Sequence, residues 1–216
     1  MSKRLLASIG VISIAWIVPA VAQDDGKLNF SAGGGIGVPL NPVAAFAGVG
    51  GNFVGGGGYN LDKHNAILGQ FMWDGLPPSI GAKAQLLGGS ASVNLYSLTA
   101  DYKYSSSFGP AFGYYAIVGG GWYYRHSSIS KSTFIPTTTV CQPIWFYYGF
   151  TCSDGFVNTR TIASGTSSFG GNSGIGFTIR VKDSGWKFFI ESRYNYAASR
   201  AVSTQVIPVT FGFMYQ

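Results

Sequence analysis

Charge is scarce in this sequence. Only 10% of the residues are Asp, Glu, Lys or Arg, against about 25% in an average soluble domain, and Glu191 is the single glutamate. The basic excess is small and scattered, with no Lys/Arg run, which is unlike a nucleic-acid footprint. Two cysteines without histidines near them fall short of the usual four ligands of a zinc centre. After residue 22 there is no apolar run long enough for a membrane helix. What the chain does have is 32 glycines and 16% aromatic residues. A chain this poor in charge and free of apolar helices either crosses a membrane as a closed barrel or hides its apolar surface elsewhere. Only helices and closed barrels satisfy their backbone hydrogen bonds in lipid.

The first 22 residues read as a cleaved secretory signal. Lys3 and Arg4 form a positive start, Leu5 to Val18 an apolar run, and Pro19 followed by Ala20-Val21-Ala22 a small-residue cleavage site. The apolar run is short for a membrane anchor, which needs about 20 residues. No Cys follows the cleavage site, which argues against a lipoprotein. The expected organisation is a signal at 1–22 and one domain at 23–216.

Eight segments follow a period of two. In the last, Ile207, Val209, Phe211, Phe213 and Tyr215 share one side, and Val206, Pro208, Thr210, Gly212 and Met214 the other. Leu28 to Val38 alternates Leu28, Phe30, Ala32, Ile36 and Val38 with polar residues and glycine. Phe46 to Gly58 sets Ala47, Val49 and Phe53 against glycines and Asn52. Ala66 to Trp73 is the least clean, with Ile67, Phe71 and Trp73 opposite Leu68, Gln70 and Met72. Val93 to Tyr104 opposes Tyr96, Leu98 and Tyr102 to Ser97, Thr99, Asp101 and Lys103. Phe112 to Arg125 puts Tyr114, Val118, Trp122 and Tyr124 outward. Phe169 to Arg180 opposes Ile175 and Phe177 to Asn172, Thr178 and Arg180. In the seventh, Trp186, Phe188, Ile190 and Tyr194 oppose Lys187, Glu191, Arg193 and Asn195. In seven of the eight, polar and charged residues keep one parity. That predicts an eight-stranded antiparallel barrel with an apolar exterior.

Connections alternate short and long. Short turns are expected at Asn60 to Lys63, Ser105 to Ser107 and Lys182 to Gly185. Long loops are expected at Gly75 to Ser92 and at 126–168. Short turns on one side is the outer-membrane pattern, with the N-terminus on the short, periplasmic side. Aromatic belts then form at both edges: Trp73, Trp122, Tyr124 and Tyr194 at the outer, and Tyr59, Tyr102, Tyr114, Trp186 and Tyr215 at the inner.

Strands and turns together resemble the small OmpA/OmpX-type barrels of the Gram-negative outer membrane, over Leu28 to Tyr215. Because the strands run to the end of the sequence, the resemblance is closer to the short OmpX type. Chains of that family typically end on the aromatic itself, whereas here Gln216 follows Tyr215. The resemblance implies outer-membrane lipid and lipopolysaccharide as surroundings, the barrel-insertion machinery as reader of the closing strand, and a monomer. It also implies an ionic, hydrogen-bonded network in the lumen. Parity assigns Gln70, Asp101, Lys103, Arg125, Arg180, Lys187, Glu191 and Arg193 to that side. An eight-stranded barrel is just wide enough for side chains to fill it, so a plugged lumen is expected over a narrow channel for a small or hydrophobic solute.

Cys141 and Cys152, the only cysteines, are expected to pair in the long loop of an exported chain. Between them lie Trp145, Phe146, Tyr147, Tyr148 and Phe150, either a lid resting on the barrel or a surface for a partner, glycan or lipid headgroup. His126 and Ser128 are spaced as in lipid A deacylases of similar size. Their parity faces lipid and that of Glu191 faces the lumen, so a triad does not assemble and no enzymatic activity is expected. The glycine runs lack the GxxxxGK[ST] pattern, and no cofactor is expected. The long loop leaves one architectural alternative: Ser132 to Val140, rich in Thr and β-branched residues, would raise the strand count to ten or extend a strand pair beyond the membrane. The functional expectation is a structural or surface-interaction role.

Overall fold

The computed structural model describes residues 28–81, 90–144, 149–181, 185–199 and 203–216, with Ser90 and 131–162 described through their backbone alone. The signal at 1–22 lies outside the described residues. Eight strands occur among them: β1 Leu28–Pro39, β2 Gly50–Asn60, β3 Asn65–Leu76, β4 Ser90–Phe108, β5 Phe112–Ile144, β6 Gly149–Arg180, β7 Trp186–Ala197 and β8 Thr204–Tyr215. Each pairs antiparallel with the next, and β8 returns to β1, closing the barrel. The closing seam runs from Phe30 opposite Tyr215 to Pro39 opposite Val206. Closure leaves no open edge around the wall, which is what a strand structure needs in lipid.

Alternation follows from the pleat. On β3, Ala66, Leu68, Gln70, Met72, Asp74 and Leu76 are buried inside, while Ile67 and Phe71 are exposed outside. On β8, Val206, Thr210 and Met214 point in, and Phe211, Phe213 and Tyr215 point out. The exposed exterior is apolar around the wall, with Phe30, Phe71, Leu98, Ile175, Phe177 and Phe211 among its members.

The interior is filled in layers. At the end carrying the longer connections, Val43, Ala47, Leu76, Leu95, Tyr123, Ala197 and Val206 form one apolar cluster. Toward the other end, Val54, Met72, Tyr115, Phe189 and Met214 form a second, and Ala66, Leu68 and Ile117 a third. Glycine makes room for the larger groups. A Cβ on Gly119 would collide with the Asp101 carboxylate, and one on Gly176 with the Tyr115 ring.

The loop expected at Gly75 to Ser92 is shorter, because Gly75 and Leu76 belong to β3 and Ser90 to Ser92 to β4. Three further boundaries differ more from the sequence expectation. First, β2 starts at Gly50, not Phe46. Residues Val43–Ala45 form a 3-10 turn, closed by Phe46 N donating to the Val43 carbonyl, and Ala47 turns inward beside Pro78. Second, Ser105 to Ser107 belong to β4 rather than to a turn. The chain reverses just beyond them, where Gly109 takes φ +71°, a conformation natural to glycine. Third, the stretch 126–168 is not a loop. β5 and β6 run through it as one long hairpin, paired out to Ile144 opposite Gly149, with register shifts at Ile129/Ser130 and Phe134/Thr139. The Thr- and β-branched-rich sequence pairs locally, so the hairpin extends and the wall keeps eight strands.

The β2–β3 turn is held by Asp62, whose carboxylate accepts from the Asn65 side-chain amide at 2.6 Å and from His64 N at 2.7 Å. The Asn65 amide first, and the His64 N–H after it, hold the Asp62 carboxyl below its ordinary range.

The belt residues fall at the two rims. Trp186 and Tyr215 meet edge to face at 5.5 Å between ring centres, at the end with the short turns. Tyr59, Tyr102 and Tyr114 lie on the strand segments at that same end. Trp122 stacks on Tyr124 at 5.8 Å toward the hairpin end. There Trp73 donates to Asn94 Oδ1 at 3.1 Å, and Tyr194 donates to Gln205 Oε1 at 3.0 Å.

Candidate functional site

Asp101, Glu191 and Arg193 meet inside the barrel. Arg193 Nε donates to Glu191 Oε1 at 2.9 Å, and Nη1 reaches Asp101 Oδ2 at 3.2 Å. Its Nη2 is 2.6 Å from the same Glu191 oxygen but off the line of a second hydrogen bond. Tyr115 Oη donates to Glu191 Oε2 at 2.8 Å, and Thr99 Oγ1 to Asp101 Oδ2 at 2.8 Å. Register explains one further contact. Asp101 on β4 faces Gly119 on β5, and Gly119 faces Asn172 on β6. Because Gly119 has no side chain, Asn172 Nδ2 reaches over it to Asp101 Oδ1 at 2.8 Å.

The other residues of lumen parity are not in this cluster. Gln70 is buried, with its Oε1 unpartnered. Lys103 is buried nearer the short-turn end, over the Tyr115 ring at 5.4 Å and 4.0 Å from Met214 Sδ. Arg125 donates to Thr204 Oγ1 at 3.1 Å toward the hairpin end. Lys187 donates to Gln216 Oε1 at 3.1 Å, and Arg180 stands exposed at the short-turn rim. Parity alone gave the side of the wall for each residue but not its height. It had put Thr99 and Asn172 on the polar side without assigning them to the network, and it passed over Tyr115; these three complete the cluster. A second polar group, absent from the expected lumen set, links Thr210 Oγ1 to Asn52 Oδ1 at 2.6 Å and Asn52 Nδ2 to Asp74 Oδ1 at 3.0 Å. Its signal was the inward parity of Asn52 and Thr210.

Between these layers the interior holds a void of ≈ 10 Å³, bounded by residues including Gln70, Glu191 and Phe189. That is about the least space one water needs. At the short-turn end the barrel opens into a vestibule of ≈ 340 Å³, with Lys103 in its floor and Lys187, Arg180 and Gln216 on its wall.

Cys141 and Cys152 face each other directly in the β5–β6 ladder. Of the aromatic group between them, 145–148 lie outside the described residues, and Phe150 pairs through its backbone with Pro143. His126 faces Gly165 and Asn94 in the wall, and Ser128 Oγ is 3.0 Å from Ser92 Oγ. Glu191, the acid a triad would need, is bound to Arg193 and Tyr115 inside. Among the described residues no group of three or more His, Cys, Asp or Glu could hold a metal ion.

No protein-family model matches the chain, and no curated protein matches it in sequence. Solved structures do match in shape. Neisserial surface protein A is similar at 12% identity and TM-score 0.52, over 87% of this chain and 96% of its own. A major outer membrane protein from Thermus thermophilus is similar at 10% identity and TM-score 0.53, over 87% and 98%. Ail of Yersinia pestis follows at 11% identity and TM-score 0.47, over 89% and 100%. The chain thus has the fold of the small eight-stranded outer-membrane barrels.

Proposed function

We propose that this chain is a bacterial outer-membrane barrel whose lumen is closed by its own side chains, serving envelope structure and surface interaction rather than transport. The observation that carries this reading is the inversion of the usual protein. The outside is an apolar band bounded by aromatic rims, and the inside buries Arg193 between Asp101 and Glu191. A charge buried this way needs its partners in place, so the network acts as a structural core. The neighbouring void of ≈ 10 Å³ leaves no room for a hydrated ion.

The orientation that suits this reading has the N-terminus and short turns in the periplasm and the β5–β6 hairpin outside. The hairpin is then the surface-facing element, monomeric and set in lipopolysaccharide. Cys141 and Cys152 close it by a disulfide. Directly opposed residues of an antiparallel pair are about 4.5–5.5 Å apart between Cα atoms, within the range a disulfide spans. Residues 1–22 direct export and are removed.

Single-channel recording in planar bilayers tests the closed lumen. The purified barrel inserts without sustained conductance steps. Steps of ion-channel size, reproducible across preparations, would overturn the reading in favour of a conduit.

A further inference from the structure

The vestibule at the short-turn end carries a charge pattern that the closed-barrel role does not use. Lys63, His64, Lys103, Arg180, Lys187 and Gln216 line it, and no Asp or Glu side chain does among the described residues. Lys103 is 3% exposed, and among the described residues its ammonium lies against the Tyr115 ring and the Met214 sulfur. Among the described residues no Asp or Glu forms an ion pair with it; Asp101 and Glu191 pair with Arg193. Two cations facing one space with no Asp or Glu side chain among its described lining residues is an arrangement that folding alone does not favour, because a buried charge is stable only when compensated.

The donors around the space suit an oxyanion. Lys103 supplies a charge from the floor and Lys187 one from the wall. Arg180 adds a planar fork at the rim, the geometry that grips phosphate by two parallel bonds. Thr178 adds a hydroxyl beside them. Gln216 holds Lys187 in place, its Oε1 accepting from Nζ while its Nε2 donates to Asn60 Oδ1 at 3.4 Å. His64 is anchored by its Nδ1, 2.9 Å from the Ser105 carbonyl. That carbonyl can only accept, so Nδ1 carries a proton, and the Nε2 of the neutral ring is an acceptor that offers an oxyanion nothing. At ≈ 340 Å³ the vestibule is at the small end of ligand pockets.

We propose that this vestibule is a binding site for a phosphate group, with Lys103, Lys187 and Arg180 as its ligands. The phosphate comes either as a small free anion or as the headgroup of an anionic lipid at the rim, and the two are separable by experiment. Isothermal titration of the detergent-solubilised full barrel with inorganic phosphate tests the first source. Phosphorus NMR of the barrel in nanodiscs, with phosphatidylglycerol against phosphatidylcholine alone, tests the second. Binding in either arm is expected to weaken about tenfold in Lys103→Met. Arg180→Gln, at an exposed rim position that folding tolerates, is expected to weaken it as well. Phosphate binding in solution identifies the free anion. A shifted phosphatidylglycerol signal without phosphate binding identifies the lipid. Absence of both, or binding indifferent to both substitutions in folded protein, overturns the site.

Discussion

Asn172 on β6 hydrogen-bonds Asp101 on β4 at 2.8 Å, across the full width of β5. The contact exists because the β5 residue between them is Gly119, opposite both. Three strands therefore share one polar joint, and its centre is an absent side chain.

Gly119→Ala should break that joint. The new Cβ has no space beside Asp101 Oδ1 or the Ala100 carbonyl. We expect a loss of about 1–3 kcal/mol, the usual cost of overpacking, read by urea unfolding in lipid vesicles. Gly51→Ala is the control, since a Cβ there meets nothing within 4 Å. Equal stability of the two variants would refute the joint.

Glu191→Gln tests the ion cluster from its other side. The guanidinium of Arg193, 2% exposed, would keep only Asp101 as counter-charge. Breaking a buried pair while leaving its partner charged costs about 3–5 kcal/mol. The heat-modifiable shift on gels should move to lower temperature. Arg193→Met, Glu191→Gln and Asp101→Asn together should recover part of the loss, because neither an uncompensated guanidinium nor an uncompensated carboxylate then remains.

Leu98→Arg tests which face meets lipid. Leu98 is exposed, opposite Phe71 and Trp122 on its two neighbours. Near the middle of a membrane, arginine on the lipid face costs about 2–4 kcal/mol. Folding into vesicles should suffer by that amount, whereas Ser107→Arg, at the short-turn rim, should fold normally. If the two fold alike, the exterior does not face a bilayer core.

Strand number, order and facing were legible because a period of two survives wherever one face is polar. β3 shows the limit of that signal. Its sequence alternates poorly because Leu68 and Met72 are as apolar as Ile67 and Phe71, yet its burial alternates cleanly. A barrel interior accepts apolar residues between polar ones, so hydropathy loses a pattern that geometry keeps. Tyr115 and Tyr123 were hidden for the same reason, lying inward on a strand whose outward face is also aromatic. Ser105 to Ser107 read as a turn because serine suits turns and ladders alike. The ion cluster needed more than parity. That Asp101, Gly119, Asn172 and Asn195 fall in one row depends on three successive registers, which turn lengths fix.

The hairpin should be separable from the barrel. Beyond Ile129, β5 and β6 pair only with each other among the described residues, apart from Ser130 opposite Ser90. Replacing Cys141 and Cys152 together by serine should leave the unfolding midpoint of the barrel unchanged. Limited proteolysis of the intact barrel should cut the serine variant faster within 131–162. Thiol labelling of the unreduced natural chain should find no free cysteine. Labelling of both cysteines would remove the disulfide from the account.

The end of β8 offers the last test, and it splits two roles that sit next to each other. Tyr215 points outward, meets Trp186 at the rim and pairs with Phe30 across the seam. Gln216 instead gives its backbone N–H to the Gly185 carbonyl at 3.0 Å and its side chain to Lys187 and Asn60. The aromatic belongs to the wall and the amide to the vestibule. Tyr215→Ala should therefore lower the yield of inserted protein in the outer membrane. Deleting Gln216 should leave that yield intact, because the outward aromatic and the β1–β8 pairing both remain, yet it should loosen Lys187 and weaken any anion held beside it. An outer-membrane yield indifferent to Tyr215→Ala would mean that closure of the barrel does not depend on the aromatic end of β8.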